Sequence, residues 1–192
     1  HYGTRRQRQM CIRDRYQISH ALAEDSPVIR ERALYHRVLI ELEVKDYERS
    51  EKHLEQLLAS YPESIYRSEY HFWYALVLHE KNLDPIRSLM ALRQIDEGSE
   101  RVDDSLFLQG RIHLEQSNWS QAVRVFRKLK TNLVDSPYLE PGLLFLAEAF
   151  FQQKNHVEAQ AVLSELRQKF NPLQEPIPVI HLQVRNLKAM GA

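Results

Sequence analysis

The sequence is short of the residues that break or flatten a chain: 5 glycines, 8 prolines and thinly spread valine and isoleucine in 192 residues. That balance favours helix over sheet. It has one cysteine, Cys11, so an intrachain disulfide or a thiolate zinc site is excluded. It lacks any run of about 18 apolar residues, the length a spanning helix needs. The richest stretch, Gly142 to Phe151, is interrupted by Glu148. Also missing are HExxH, a P-loop, a glycine-rich dinucleotide fingerprint, a nucleophile elbow and a serine with a recognisable activating partner. No catalytic residue, cofactor or metal is expected. His71 and His79 can share a helix face, but their spacing is not that of metal ligands.

Charge of one sign is absent overall, with 26 basic and 26 acidic residues. The basic residues crowd into the N-terminus, HYGTRRQRQMCIRDR, which by ordinary rules is a nucleic-acid-binding or targeting arm. Arg5 to Asp14, RRQRQMCIRD, resembles instead the translation of a transposase adapter used in sequencing libraries. Residues 1–15 are therefore read as a non-native tail. Setting aside Arg5, Arg6, Arg8, Arg13, Arg15 and Asp14 leaves 21 basic and 25 acidic residues (26 − 5 and 26 − 1), a balance of −4. A mildly acidic surface has no electrostatic footprint for nucleic acid. What remains is cysteine-free, which fits an oxidising compartment.

What is present is apolar periodicity. Asp103 to Leu129 reads as two amphipathic helices joined at Gln116-Ser117-Asn118, with Gly110 and Ala122 letting two backbones approach and Leu106, Phe126 and Leu129 filling the space around them. The same order recurs from Glu140 to Phe170, where Leu143, Ala147, Ala159, Leu163 and Leu166 take those places. Upstream, Val28 to Lys45 and Tyr47 to Ser60 form a pair with Ser50, Leu54 and Leu57 inward. The aromatic stretch Ile65 to Lys81 pairs with Ile86 to Ile95, with Ala75 and Ser88 as its small residues and Gly98 as its C-terminal cap. Ser50, Ser88, Ala122 and Ala159 are spaced by 38, 34 and 37 residues. Such a period marks stacked helical hairpins. The expected hairpins are 28–62, 65–98, 102–133 and 139–170, with a capping helix over 177–190 to cover the last apolar face. Tyr16 to Glu24 reads as the end of a helix from an upstream unit.

This large, small, turn, small, large order resembles the tetratricopeptide repeat over residues 28 to 170. The resemblance implies an all-α, right-handed solenoid of antiparallel hairpins that binds a protein or peptide in a concave groove and does no chemistry. The loops Tyr61-Pro62-Glu63-Ser64-Ile65-Tyr66 and Asp135-Ser136-Pro137-Tyr138 are similar to those of bacterial envelope repeat proteins such as the Tol-Pal coordinator and the outer-membrane assembly lipoprotein, which implies a periplasmic or envelope setting.

Family register puts Tyr35, Phe72, Phe107 and Leu144 at equivalent groove positions. Leu39, Leu76, Arg111 and Glu148 stand one turn further on, and Phe151 near the end of the first helix of the fourth hairpin. Three aromatics at one repeat position would form a ladder able to grip an extended peptide or helix, with Arg111 and Glu148 setting register. The plainer alternative is that they pack between helices. Trp119, just after a turn, is expected in the core; Trp73 suits core or surface. Asp103 and Asp104 open a helix, where carboxylates complement the dipole and cap free N–H groups. Two other classes stay open: a noncatalytic helical arm of a larger enzyme such as a cell-wall lytic transglycosylase, and a pentatricopeptide-like RNA binder, which the charge opposes.

Overall fold

The computed structural model describes residues 26–81, 84–168 and 176–191. The tail, the Tyr16–Glu24 helix end, the Asn82-Leu83 turn and the loop around Asn171-Pro172 lie outside them. The described residues hold nine helices and no strand: α1 Pro27–Glu43, α2 Tyr47–Ser60, α3 Arg67–Glu80, α4 Pro85–Leu92, α5 Val102–Glu115, α6 Trp119–Asn132, α7 Leu139–Gln152, α8 His156–Gln168 and α9 Ile177–Ala189. They fall into two compact units, one ending at Asp96 and the other beginning at Glu97.

The hairpins form where small residues permit close crossing. Ser50, Ser88, Ala122 and Ala159 are all fully buried on second helices, and Ala75 and Ala147 on first helices. The contact is direct. Ser88 donates its hydroxyl to the Ala75 carbonyl at 2.8 Å, and a Cβ on Gly110 would lie 2.3 Å from Phe126 Cζ. In the first hairpin the crossing residue on α1 is Val38, also fully buried. One turn on, Glu41 is buried but satisfied: His53 Nδ1 lies 2.7 Å from one carboxylate oxygen and Arg37 Nε 3.1 Å from the other.

Three turns inside hairpins share one geometry. Lys45, Ser117 and Lys154 adopt φ of 59°, 56° and 62°. Each amide donates three residues back, to Leu42, Leu114 and Phe151, and the next amide donates five back, to Glu41, His113 and Phe150. This pair of bonds satisfies the last carbonyls of the first helix. The residues that follow, Asp46 and Asn118, are also the N-caps of α2 and α6, so one helix ends and the next begins within three residues.

The core of the first unit gathers Leu34, Val38, Leu54, Leu57, Tyr70 and Val77. That of the second centres on Phe126, Leu129, Leu143, Leu146, Leu163 and Leu166. Fully burying such a side chain contributes about 1.5–3 kcal/mol against chain entropy.

Two boundaries differ from expectation. α4 stops at Leu92 rather than Ile95, because Ser68 on α3 captures the chain: its hydroxyl donates to the Asp96 carboxylate at 3.2 Å and accepts the Asp96 amide at 3.3 Å. Gly98 therefore caps no helix. α3 starts at Arg67 rather than Ile65, because the Tyr66 amide bonds the Ser64 hydroxyl at 3.0 Å and turns the chain first.

Candidate partner-binding face

Eight of the nine residues assigned to the groove are half-buried on first helices: Tyr35 and Leu39 on α1, Leu76 on α3, Phe107 and Arg111 on α5, and Leu144, Glu148 and Phe151 on α7. Phe72 differs: it is buried, at 7% exposure, edge-on to Trp73. It offers little surface.

The aromatics are engaged. Tyr35 stacks on Tyr66 at 6.4 Å, tilts against Tyr70 at 5.2 Å and accepts a hydrogen bond from Trp73 Nε1 at 3.1 Å. Phe107 stacks on Tyr138 at 4.7 Å and touches Phe126 and Phe145. In each unit the residue stacked on is the tyrosine of the following inter-hairpin loop.

The loop serines explain how those tyrosines are held. Ser64 donates to Glu31 while accepting from the Tyr66 amide. Ser136 donates to Asp103 at 3.0 Å while accepting from the Tyr138 amide at 3.1 Å. Tyr138 then donates to Asp104 at 2.5 Å, and Tyr70 to Glu31 at 2.7 Å. Asp103 and Asp104 thus do more than open α5; they fasten the next loop to it. The Asp104 hydrogen bond, and then burial, push the Tyr138 phenol up to about 12. Burial and Glu31 push Tyr70 well above the usual tyrosine range.

The charged positions also have partners. Arg111 lies 3.4 Å from Glu115. Glu148 lies 3.6 Å from Arg185 of α9, and the Arg185 guanidinium stands 4.6 Å over the Phe151 ring. Arg185 therefore joins two assigned residues, and it stands 37 residues after Glu148, the interval that separates Glu148 from Arg111. Trp119 opens α6 half-buried rather than in the core. Burial, reinforced by the Arg67 charge and opposed by Asp96, pushes His71 down to about 4. Among the described residues no group of three or more His, Cys, Asp or Glu could hold a metal ion, and no helix is long and apolar enough to cross a membrane.

Residues 32–64 and 104–136 match the tetratricopeptide repeat family. Both segments start six residues before a crossing residue, Val38 or Gly110, and stop at a loop serine, Ser64 or Ser136. No curated protein matches the chain. Two crystal structures of nearly identical TPR-like repeats from Podosopora anserina, in a protein provisionally assigned as a kinesin light chain, resemble it with TM-scores of 0.64 and, for a Q17M variant, 0.65. Each is 16% identical and covers 84% of this chain and 87% of its own. At that identity the likeness shows the fold alone: all-α, of the TPR-like solenoid type.

Proposed function

We propose that the chain is a protein-interaction scaffold in which a peptide or partner helix lies along the first helices of the hairpins, in the concave groove usual for these repeats. The observation that carries this reading is the repeat match at 32–64 and 104–136 with half-buried apolar and charged residues next to the crossing residues: Leu39, Leu76, Arg111 and Glu148. Tyr35 and Phe107 serve the scaffold first, because they hold the loops. Binding energy then comes from Leu39 and Leu76 in the first unit and from Leu144 and Phe151 in the second, where Arg111 and the Glu148–Arg185 pair set register.

The cell envelope is the setting we propose, on the resemblance of the Ser64 and Ser136 loops alone. Those loops have a mechanical reason to recur wherever such hairpins stack, so the proposal rests on its own test. The recovered upstream reading frame should encode a signal peptide, and a cytoplasmic start codon would remove the envelope from the proposal.

The groove is tested by selecting peptides from a display library on the folded chain, then measuring them on Leu39→Arg, Leu76→Arg and Arg111→Glu. The expected result is at least a tenfold loss of affinity with melting temperature nearly unchanged. Peptides that bind all three variants as well as the parent would place the site elsewhere.

A further inference from the structure

The last helix, α9, was expected to be a cap, and a cap needs a polar outer face. α9 has an apolar one: Ile177, Ile180 and Val184 are 75%, 43% and 59% exposed. Its inner face is well packed. Val179 and Leu182 enter the second unit's core, and Asn186, fully buried, donates to the His156 carbonyl at 2.9 Å.

Register explains the outer face. The crossing residues Val38, Ala75, Gly110 and Ala147 are followed by Val184, 37 residues after Ala147, the same interval as Gly110 to Ala147 and Val38 to Ala75. In all four hairpins the crossing residue is buried, and so is the residue three further on: Glu41, Leu78, His113 and Phe150. The second helix buries them, as Phe126 over Gly110, Ser88 on Ala75 and His53 on Glu41 show. In α9 the corresponding residues are Val184, exposed, and Leu187, half-buried. By contrast, the positions that face the preceding hairpin are buried in α9 as in α7: Val179 and Gly142, Asn186 and Ala149.

The turn agrees independently. Lys45, Ser117 and Lys154 stand seven residues after their crossing residues. Gly191 stands seven after Val184, has φ of 79°, and donates its amide three residues back to Lys188 at 3.2 Å. The others make the same bond.

We infer that α9 is the first helix of a fifth hairpin and that its bare stripe of Ile180, Val184 and Leu187 seats an amphipathic second helix supplied by the polypeptide that follows Gly191. The chemistry of that helix can be stated. Val38 to Ser50, Gly110 to Ala122 and Ala147 to Ala159 are each 12 residues apart, and each small residue is followed four and seven residues later by an apolar one: Leu54 and Leu57, Phe126 and Leu129, Leu163 and Leu166. The occupant runs antiparallel to α9, with a small residue 12 after Val184 and apolar residues four and seven beyond that.

The test is to sequence the source locus through and past the codon for Ala192, express the 192-residue and extended chains, and melt both with and without Val184→Asp. The expected reading frame carries alanine, serine or glycine at the crossing and apolar residues at the two later positions. The extended chain melts at least about 4 °C higher, and Val184→Asp removes that gain while leaving the 192-residue chain within about 1 °C. A stop codon at once, polar residues at the three positions, no gain in melting temperature, or equal loss in both chains would each overturn the inference. None of these outcomes depends on the groove.

Discussion

Tyr138 lies against Phe107 with ring centroids 4.7 Å apart and planes 24° from parallel, while its hydroxyl reaches Asp104 of the same helix at 2.5 Å. One loop side chain thus grips α5 by its face and by its tip. Tyr138→Phe keeps the stack and loses the hydrogen bond, and should cost about 1–2 kcal/mol in urea unfolding, whereas Tyr138→Ala loses both and should cost about 3 kcal/mol or more. The sign with pH follows. The folded phenol titrates near 12 and an unfolded tyrosine near 10, so this stabilisation is present below pH 10 and lost as pH rises towards 12. Tyr138→Phe should flatten the alkaline fall in melting temperature; an unchanged fall would leave the loop hydrogen bond without energetic weight.

Gly110 and Gly142 both sit where a methyl group meets a neighbour, but the neighbours differ. A Cβ on Gly110 would press on the Phe126 ring, with three ring atoms within 2.7 Å, whereas one on Gly142 would meet the Leu129 Cδ2 methyl at 2.5 Å. Phe126 is held by Phe107 and Phe145 and cannot swing aside. A leucine methyl can turn. Gly110→Ala should therefore destabilise by about 2–3 kcal/mol and Gly142→Ala by less, since helix propensity offsets about 1 kcal/mol of either. Denaturant midpoints of the two variants decide it, and equal costs would show that Phe126 repacks freely.

His71 occupies the place held by Leu34, Leu106 and Leu143 in the other hairpins, and its buried Nδ1 has no hydrogen-bond partner among the described residues. Its folded value is lowered to about 4 from the ordinary 6.5, so between these values the unfolded chain binds the proton and the folded chain does not. Stability is full above pH 6.5 and falls as pH drops towards 4. Because the ring is partly exposed, the loss should be no more than about 2 kcal/mol. His71→Leu should remove that slope and raise the melting temperature at pH 5; melts of both proteins at pH 5 and 7 provide the check.

The fold was legible because its determinants are periodic. Ser50, Ser88, Ala122 and Ala159 announce the crossings in the sequence, and every one is fully buried. The site was less so. Family register can place Phe72 at a groove position, but it cannot see that packing buries the ring. Nor could spacing find Ser68 on Asp96, since the equivalent positions in other hairpins, Glu31 and Asp103, bond loop serines instead. The loop serines and tyrosines were visible as a motif, yet their job appears only when Glu31, Asp103 and Asp104 are brought to them.

Within each unit every helix packs on helices one or two places away in the chain. Few long loops have to close before contacts form, so each hairpin should fold quickly and locally. The same economy bears on ancestry. When an interface is made only with the next-door hairpin, a segment of 35–37 residues between crossing residues such as Ala75, Gly110 and Ala147 can be copied or dropped by recombination, and the junction it leaves behind is one the array already knows how to pack.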